Sequence, residues 1–250
     1  MKNSMFLKIR NNSLDISHIK AVIFDMDGTL VETEHLWAEA KRNVAQTLGV
    51  TVTEKVLQQY VGRGLNDFIN DLLSPKDQKH RLALNLKMQE HALANYAATL
   101  RVINGAPTLL QAFASAGLRI AICSSGSLQA IAISLKALNA TDIVEVVVSG
   151  DTIATGKPHP LPYLQTLEQL NVEAKDAIVF EDTLAGLKSA TAAGIATMIV
   201  GEQPENPVFA SATLITPRLQ DFRFFQVRFK RAPQVCIRQS TEHVAPKYLH

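Results

Sequence analysis

Short apolar runs rich in β-branched residues alternate along this chain with longer stretches of helical period. The runs are Ala21-Val22-Ile23-Phe24, Arg119 to Cys123, Ile143 to Val148, Ala177 to Phe180 and Ala196 to Val200. Most are apolar at successive rather than alternate positions, as in a parallel sheet covered on both faces. Helical patterns fall at 105–116, 127–138, 160–170 and 184–193, and Gly117 and Gly194 stand where helix C-caps are expected. The alternation predicts an α/β fold with a doubly wound, Rossmann-like parallel sheet.

The rhythm breaks after the first run. Residues 31–103 show no convincing strand, apart from a short candidate near Val50-Thr51-Val52. They predict helices over Glu34–Leu48, Glu54–Tyr60, Leu65–Leu73 and Lys76–Leu100. A crossover between parallel strands needs only about a dozen residues, so this stretch reads as an inserted all-helical cap subdomain. The core is then 19–30 together with 104–222. Residues 1–18 are left as a leader and 223–250 as a basic tail, both of uncertain order, with a short final element after Arg218.

Composition narrows the function classes. Apolar residues make up 47% and charged residues 19% of the 250, enough for a sizeable core. The net charge of +2 is uneven: from residue 223 onward lie six of the 25 basic residues and one of the 23 acids. The folded part therefore lacks the basic face that nucleic acid requires. Cys123 and Cys236 suggest no disulfide framework. Met1 to Lys20 shows no signal-peptide pattern, and no apolar stretch reaches membrane-span length. The expectation is a soluble, cytoplasmic protein without nucleic-acid or membrane partners, monomeric or possibly dimeric.

In an open α/β sheet, ligands bind beyond the carboxyl ends of the strands. The first run ends in Asp25-Met26-Asp27-Gly28-Thr29, the second in Ser124-Ser125-Gly126-Ser127, and the fourth in Glu181-Asp182-Thr183; Lys157 precedes Pro158 at a helix start. Taken singly, Asp182 and Ser127 read as helix N-caps, the serines as a turn, and Lys157 as a solvated side chain. Taken together, four carboxylates on one edge repel unless a cation compensates, and Mg²⁺ accepts such oxygen ligands alongside a substrate phosphate. Asp25 can then attack phosphorus as nucleophile, with Asp27 as acid/base. Gly28 lets the chain turn away from the phosphate. Ser124 and the N–H groups of Ser125 and Gly126 can hold phosphoryl oxygens, and Lys157 can neutralise them.

These motifs resemble the haloacid dehalogenase superfamily in order: Asp25-Met26-Asp27-Gly28-Thr29-Leu30, Ser124, Lys157-Pro158, and Glu181-Asp182 with Ala185-Gly186 and Ala193-Gly194. The similarity covers about Ile19 to Val200. The insert after the first motif is similar to the cap of the β-phosphoglucomutase and phosphoglycolate phosphatase-like branch. Val31-Glu32-Thr33-Glu34-His35-Leu36-Trp37 is similar to that branch's sugar-phosphate phosphatases, with Glu32 where the branch often has Asp. The resemblance implies Mg²⁺ held by Asp25, the carbonyl of Asp27 and Asp182, with Glu181 as a further acid. It also implies that Asp27 argues against dehalogenation.

The cap is expected to select the substrate by closing over the site. Tyr60-Val61-Gly62-Arg63-Gly64 is the candidate recognition loop, where Arg63 can fork onto phosphate or hydroxyls, or stay solvated. His35, at the cap hinge, reads foremost as a packing residue, with substrate contact as the alternative that makes it a candidate binding residue. Trp37 reads as cap core, and His159 as shaping the turn after Lys157. The expected activity is hydrolysis of a small phosphorylated metabolite, a sugar phosphate foremost. A phosphomutase with a sugar hydroxyl as acceptor stays open, as does, more remotely, an inactive binding protein.

Overall fold

A computed structural model describes residues 3–9, 12–201 and 206–228. Residues 229–250, most of the expected tail and the site of Cys236, lie outside the described residues.

The chain opens with two strands, β1 (Asn3–Ile9) and β2 (Asn12–Asp15), followed by β3 (Ala21–Phe24) and the two-residue β4 (Val31–Glu32). Five helices follow: α1 (Glu34–Thr47), α2 (Glu54–Leu57), α3 (Leu65–Phe68), α4 (Gln78–Leu93) and α5 (Tyr96–Thr99). The chain then runs β5 (Arg101–Val102), α6 (Ala106–Ser115), β6 (Arg119–Ser124), α7 (Leu128–Ala137), β7 (Val144–Ser149) and α8 (Leu161–Leu170). It closes with β8 (Ala177–Glu181), α9 (Leu184–Ala192), β9 (Ala196–Val200), β10 (Leu214–Thr216) and β11 (Arg223–Arg228).

The central sheet is parallel and six-stranded, ordered β10-β9-β8-β3-β6-β7. The predicted doubly wound core is therefore present, with β3 in the middle and every residue of it buried. Alternate strand residues serve different faces. Val22, Phe24, Ile122 and Phe180 pack with α6 and α7, while Ala21, Ile23, Cys123 and Val179 pack with α8 and α9. Phe24 stacks on Phe180 at 4.9 Å between centroids, and Phe113 of α6 lies beside both. Register carries the functional consequence. Phe24 is level with Ile122 and Phe180, so the three strands end together at Asp25, Ser124 and Glu181-Asp182.

The cap has its own core, including Trp37, Val44, Phe68, Met88 and Tyr96. Its two connections to the sheet pair as a short antiparallel ladder, Val31 with Val102 and Glu32 with Arg101. A two-residue ladder has no period, so hydrophobic patterning does not predict it. The helix expected over Lys76–Leu100 is two helices, α4 and α5, broken at Asn95, whose backbone is non-helical. The one expected over Leu65–Leu73 is a single α turn passing into a wider π turn that ends at left-handed Ser74. No strand forms near Val50-Thr51-Val52.

Residues 3–9 and 12–15 of the expected leader, and 223–228 of the expected tail, form a three-stranded antiparallel sheet, β11-β1-β2. Met5, Leu7 and Ile9 alternate into the main core, and Phe224 meets the Phe113 ring edge-on at 5.1 Å. That period-two pattern was present in the sequence but interleaved with Phe6 and Lys8. β10, also not predicted, extends the parallel sheet beside β9. Leu7 is fully buried, so Leu7→Ala is expected to lower stability by about 2–5 kcal/mol. A urea denaturation midpoint measures this; a dispensable leader would leave it unchanged.

Candidate active site

The Asp25 amide continues the ladder by donating to the Phe180 carbonyl at 2.9 Å. The chain then doubles back: Gly28 N–H donates to Val31 O, and Leu30 N–H to Met26 O. Gly28 sits at φ +86°, where a Cβ would fall 2.0 Å from Asp182 Oδ2. Glycine thus satisfies both the turn and the close approach of a carboxylate.

Lys157 is 1% exposed. Its ammonium donates to Asp25 Oδ1 at 2.5 Å, Glu181 Oε1 at 2.5 Å and the Cys123 carbonyl at 3.0 Å, using all three protons. Burial acts against that charge, but Asp25 and Glu181 outweigh it and hold the lysine well above its usual pKa. Glu181 is fully buried and also accepts from the Tyr163 hydroxyl at 2.8 Å and from the amide and hydroxyl of Thr183. Gly186 keeps its space free, since a Cβ there would overlap the Glu181 carboxylate at 1.8 Å.

Asp25, Glu181 and Asp182 bring carboxylate oxygens within 4.8 Å of one another. Burial pushes the carboxyls of Asp25 and Asp182 well above the usual range; Lys157 opposes this at both, while neighbouring carboxylates add to it. One lysine does not balance three acids. A hard divalent cation does, and these clustered oxygen donors fit one.

Asp27 faces the cap. Its Oδ1 accepts from the Thr33 hydroxyl, from Trp37 Nε1 at 3.1 Å and from the Tyr96 hydroxyl at 3.4 Å; its Oδ2 accepts from Ser124 Oγ at 3.3 Å. Ser124 Oγ accepts the Gly126 amide at 3.0 Å, and Ser127 caps α7 through the Ala130 amide. The cap loop seats on the sheet edge. Ser125 Oγ donates to Gly62 O at 3.0 Å, and a Cβ on Gly62, at φ +73°, would meet Thr183 Oγ1 at 2.5 Å.

Between cap and core lies a cavity of about 680 Å³, part of it open to solvent, reached by Asp25, Asp27, Ser124, Ser125, Gly126 and Arg63. Arg63 is already engaged, with Nε 3.0 Å from Asp67, Nη2 3.4 Å from Asp71, and its guanidinium over the Tyr60 ring. His35 is exposed and does not line the cavity; its neighbour Glu34 does. Trp37 is cap core as expected and also lines the cavity and donates to Asp27. Sequence reasoning missed Glu34, Lys41, Asn66, Asn85, Gln89 and Asp151. For Lys41 a signal existed: it shares the Trp37 and Val44 face of α1, a charge on an otherwise apolar stripe.

A fold and site of this kind define a capped α/β hydrolase, and comparison with known proteins agrees. Residues 22–200 match the family model for haloacid dehalogenase-like hydrolases. This chain belongs to that family. It is 33% identical to a phosphorylated carbohydrates phosphatase of Thermotoga maritima, over 71% of this chain and 82% of the relative. It is 30% identical to a phosphoglycolate phosphatase of Nitrosospira multiformis, over 70% and 80%. The solved structure of CbbY from Rhodobacter sphaeroides in complex with xylulose-(1,5)bisphosphate superposes with a TM-score of 0.72 at 26% identity, covering 81% of this chain and 95% of that one.

Replacing Lys157 by Met leaves two buried carboxylates without their cation, so a loss of about 3–5 kcal/mol is expected in chemical denaturation. Adding Mg²⁺ to the wild type is expected to raise the melting temperature, by linkage to the folded state. In Asp182→Asn that rise should shrink or vanish; an equal rise in both proteins would place the ion elsewhere.

Proposed function

We propose that this protein is a Mg²⁺-dependent phosphatase of a small phosphorylated carbohydrate, acting through an aspartyl phosphate on Asp25. The observation that carries the reading is the placement of Asp25 and Asp27 on one cavity wall, with Ser124 bonded to Asp27 and Lys157 to Asp25. A carboxylate oxygen of Asp25 attacks phosphorus, and the bond from phosphorus to the ester oxygen breaks. Asp27 gives its proton to that leaving oxygen. Asp27, now a carboxylate, takes a proton from water as the water oxygen attacks the phosphoryl group. The acyl–phosphate bond breaks, inorganic phosphate leaves, and Asp25 is restored.

Lys157, its protons given to Asp25, Glu181 and the Cys123 carbonyl, supplies positive charge behind the nucleophile, and the Ser124 hydroxyl holds a phosphoryl oxygen in place, the main task in phosphoryl transfer. Asp25, Asp182 and the Asp27 carbonyl would hold the ion, with Glu181 beside them; when bound it supplies positive charge to the phosphoryl oxygens. Ser125 and Gly126 shape the phosphate end; Gly28 does not line the cavity but gives Asp182 its room; Gly62 and Arg63 close the cap end. The phosphatase names of the two relatives support water, rather than a second sugar hydroxyl, as the final acceptor.

Asp25→Asn is expected to lower kcat by at least about 10³-fold, and Asp27→Asn by about 10²–10⁴-fold. The measurement is release of inorganic phosphate from a panel of phosphorylated carbohydrates with Mg²⁺. Conversion of a sugar phosphate into its isomer without phosphate release would show phosphomutase activity instead.

A further inference from the structure

The cap side of the cavity carries two cations, and both are already matched. Arg63 is held by Asp67 and Asp71. Lys41, 3% exposed in the cap wall, donates to the Tyr60 carbonyl at 3.3 Å and faces Glu34 Oε1 at 4.0 Å. Beside the Trp37 and Tyr60 rings and Leu65, that side is lined by linked amides: Asn85 donates to Asn66, and Gln89 donates to Asn85 and across to Asp151 of the core.

The 4.0 Å gap between Glu34 and Lys41 is too long for a direct hydrogen bond. It suits a group that donates to the carboxylate and accepts from the ammonium at once. A hydroxyl does both; a phosphate or carboxylate oxygen only accepts, and it meets a like charge once the Glu34 carboxyl, pushed up to about 7 by burial, is ionised. A second anion would also need a cation with no other partner, because an uncompensated buried charge is costly. Arg81 lines an adjoining recess and not the cavity that Glu34 and Lys41 line.

We propose that Glu34 and Lys41 are specificity-determining residues that bind a hydroxyl of an uncharged, polyhydroxylated leaving group. The cavity then disfavours substrates whose leaving group bears a second phosphate or a carboxylate. This rests on the phosphatase reading above and adds the chemical class of the leaving group.

The test compares kcat/KM of the full chain with Mg²⁺ for a hexose monophosphate, a hexose bisphosphate, phosphoglycolate and p-nitrophenyl phosphate. The wild type should prefer the hexose monophosphate to the bisphosphate and to phosphoglycolate by about tenfold or more. In Glu34→Gln the repulsion is gone and the hydroxyl contact weakened, so the monophosphate-to-bisphosphate ratio should fall by about tenfold. Lys41→Met should lower kcat/KM for the hexose monophosphate chiefly through KM. A merely structural role for Glu34 would lower every substrate in proportion and leave the ratio unchanged; that result, or a wild-type preference for the bisphosphate or phosphoglycolate, overturns the inference alone. No phosphate release from any of the four compounds would overturn the phosphatase reading and this inference with it.

Discussion

A buried ammonium shared between two carboxylates is the contact on which this site depends. Lys157 ties the end of β3 through Asp25, the end of β8 through Glu181 and β6 through the Cys123 carbonyl. Removing three charges from water is costly, and close geometry with every proton satisfied is what offsets the cost. The neighbouring residue types follow from that demand. Gly186 leaves room for Glu181, Tyr163 and Thr183 satisfy its remaining lone pairs, and Gly28 leaves room for Asp182. Asp182 is left with a hydroxyl partner, Thr29, and no ammonium among the described residues. The same packing that builds the ion pair therefore leaves a place for a further cation.

The second organising contact joins the two halves of the molecule. Asp27 belongs to the core by sequence, yet its carboxylate is held by Thr33 at the hinge and by Trp37 and Tyr96 of the cap, with Ser124 on the other side. Its position thus depends on where the cap sits. Gly62 against Thr183 and Gln89 against Asp151 are further points where cap meets core. Seating of the cap and orientation of the Asp27 carboxylate rest on the same contacts.

Much of this is legible in the sequence. The five predicted strands lie in the central sheet because predominantly apolar runs have no other stable place in an α/β layer. The core site was legible because strand ends in such a sheet share one edge, so Asp25, Ser124 and Glu181-Asp182 had to be neighbours once their strands were adjacent. Misses fell where local pattern is weak. The β4–β5 ladder is too short to have a period, and the break at Asn95 interrupts a pattern that reads as continuous helix. β1 alternates cleanly at Met5, Leu7 and Ile9, but its partner β11 lies more than 200 residues away.

The cap side of the site was read less well. Arg63 was a reasonable candidate from its glycine-flanked loop, but its guanidinium is committed to Asp67 and Asp71. His35 is exposed, while Glu34 and Lys41, each about one turn of α1 from Trp37, line the cavity. By itself the sequence determined the layer architecture, the inserted cap and the residues of the core edge, because those follow from hydrophobic period and strand-end position. Only the tertiary structure decided which charges are paired, which cap side chains reach the cavity, and that Asp27 answers to the cap. Those outcomes depend on distances between segments far apart in the chain, and no local pattern encodes such distances.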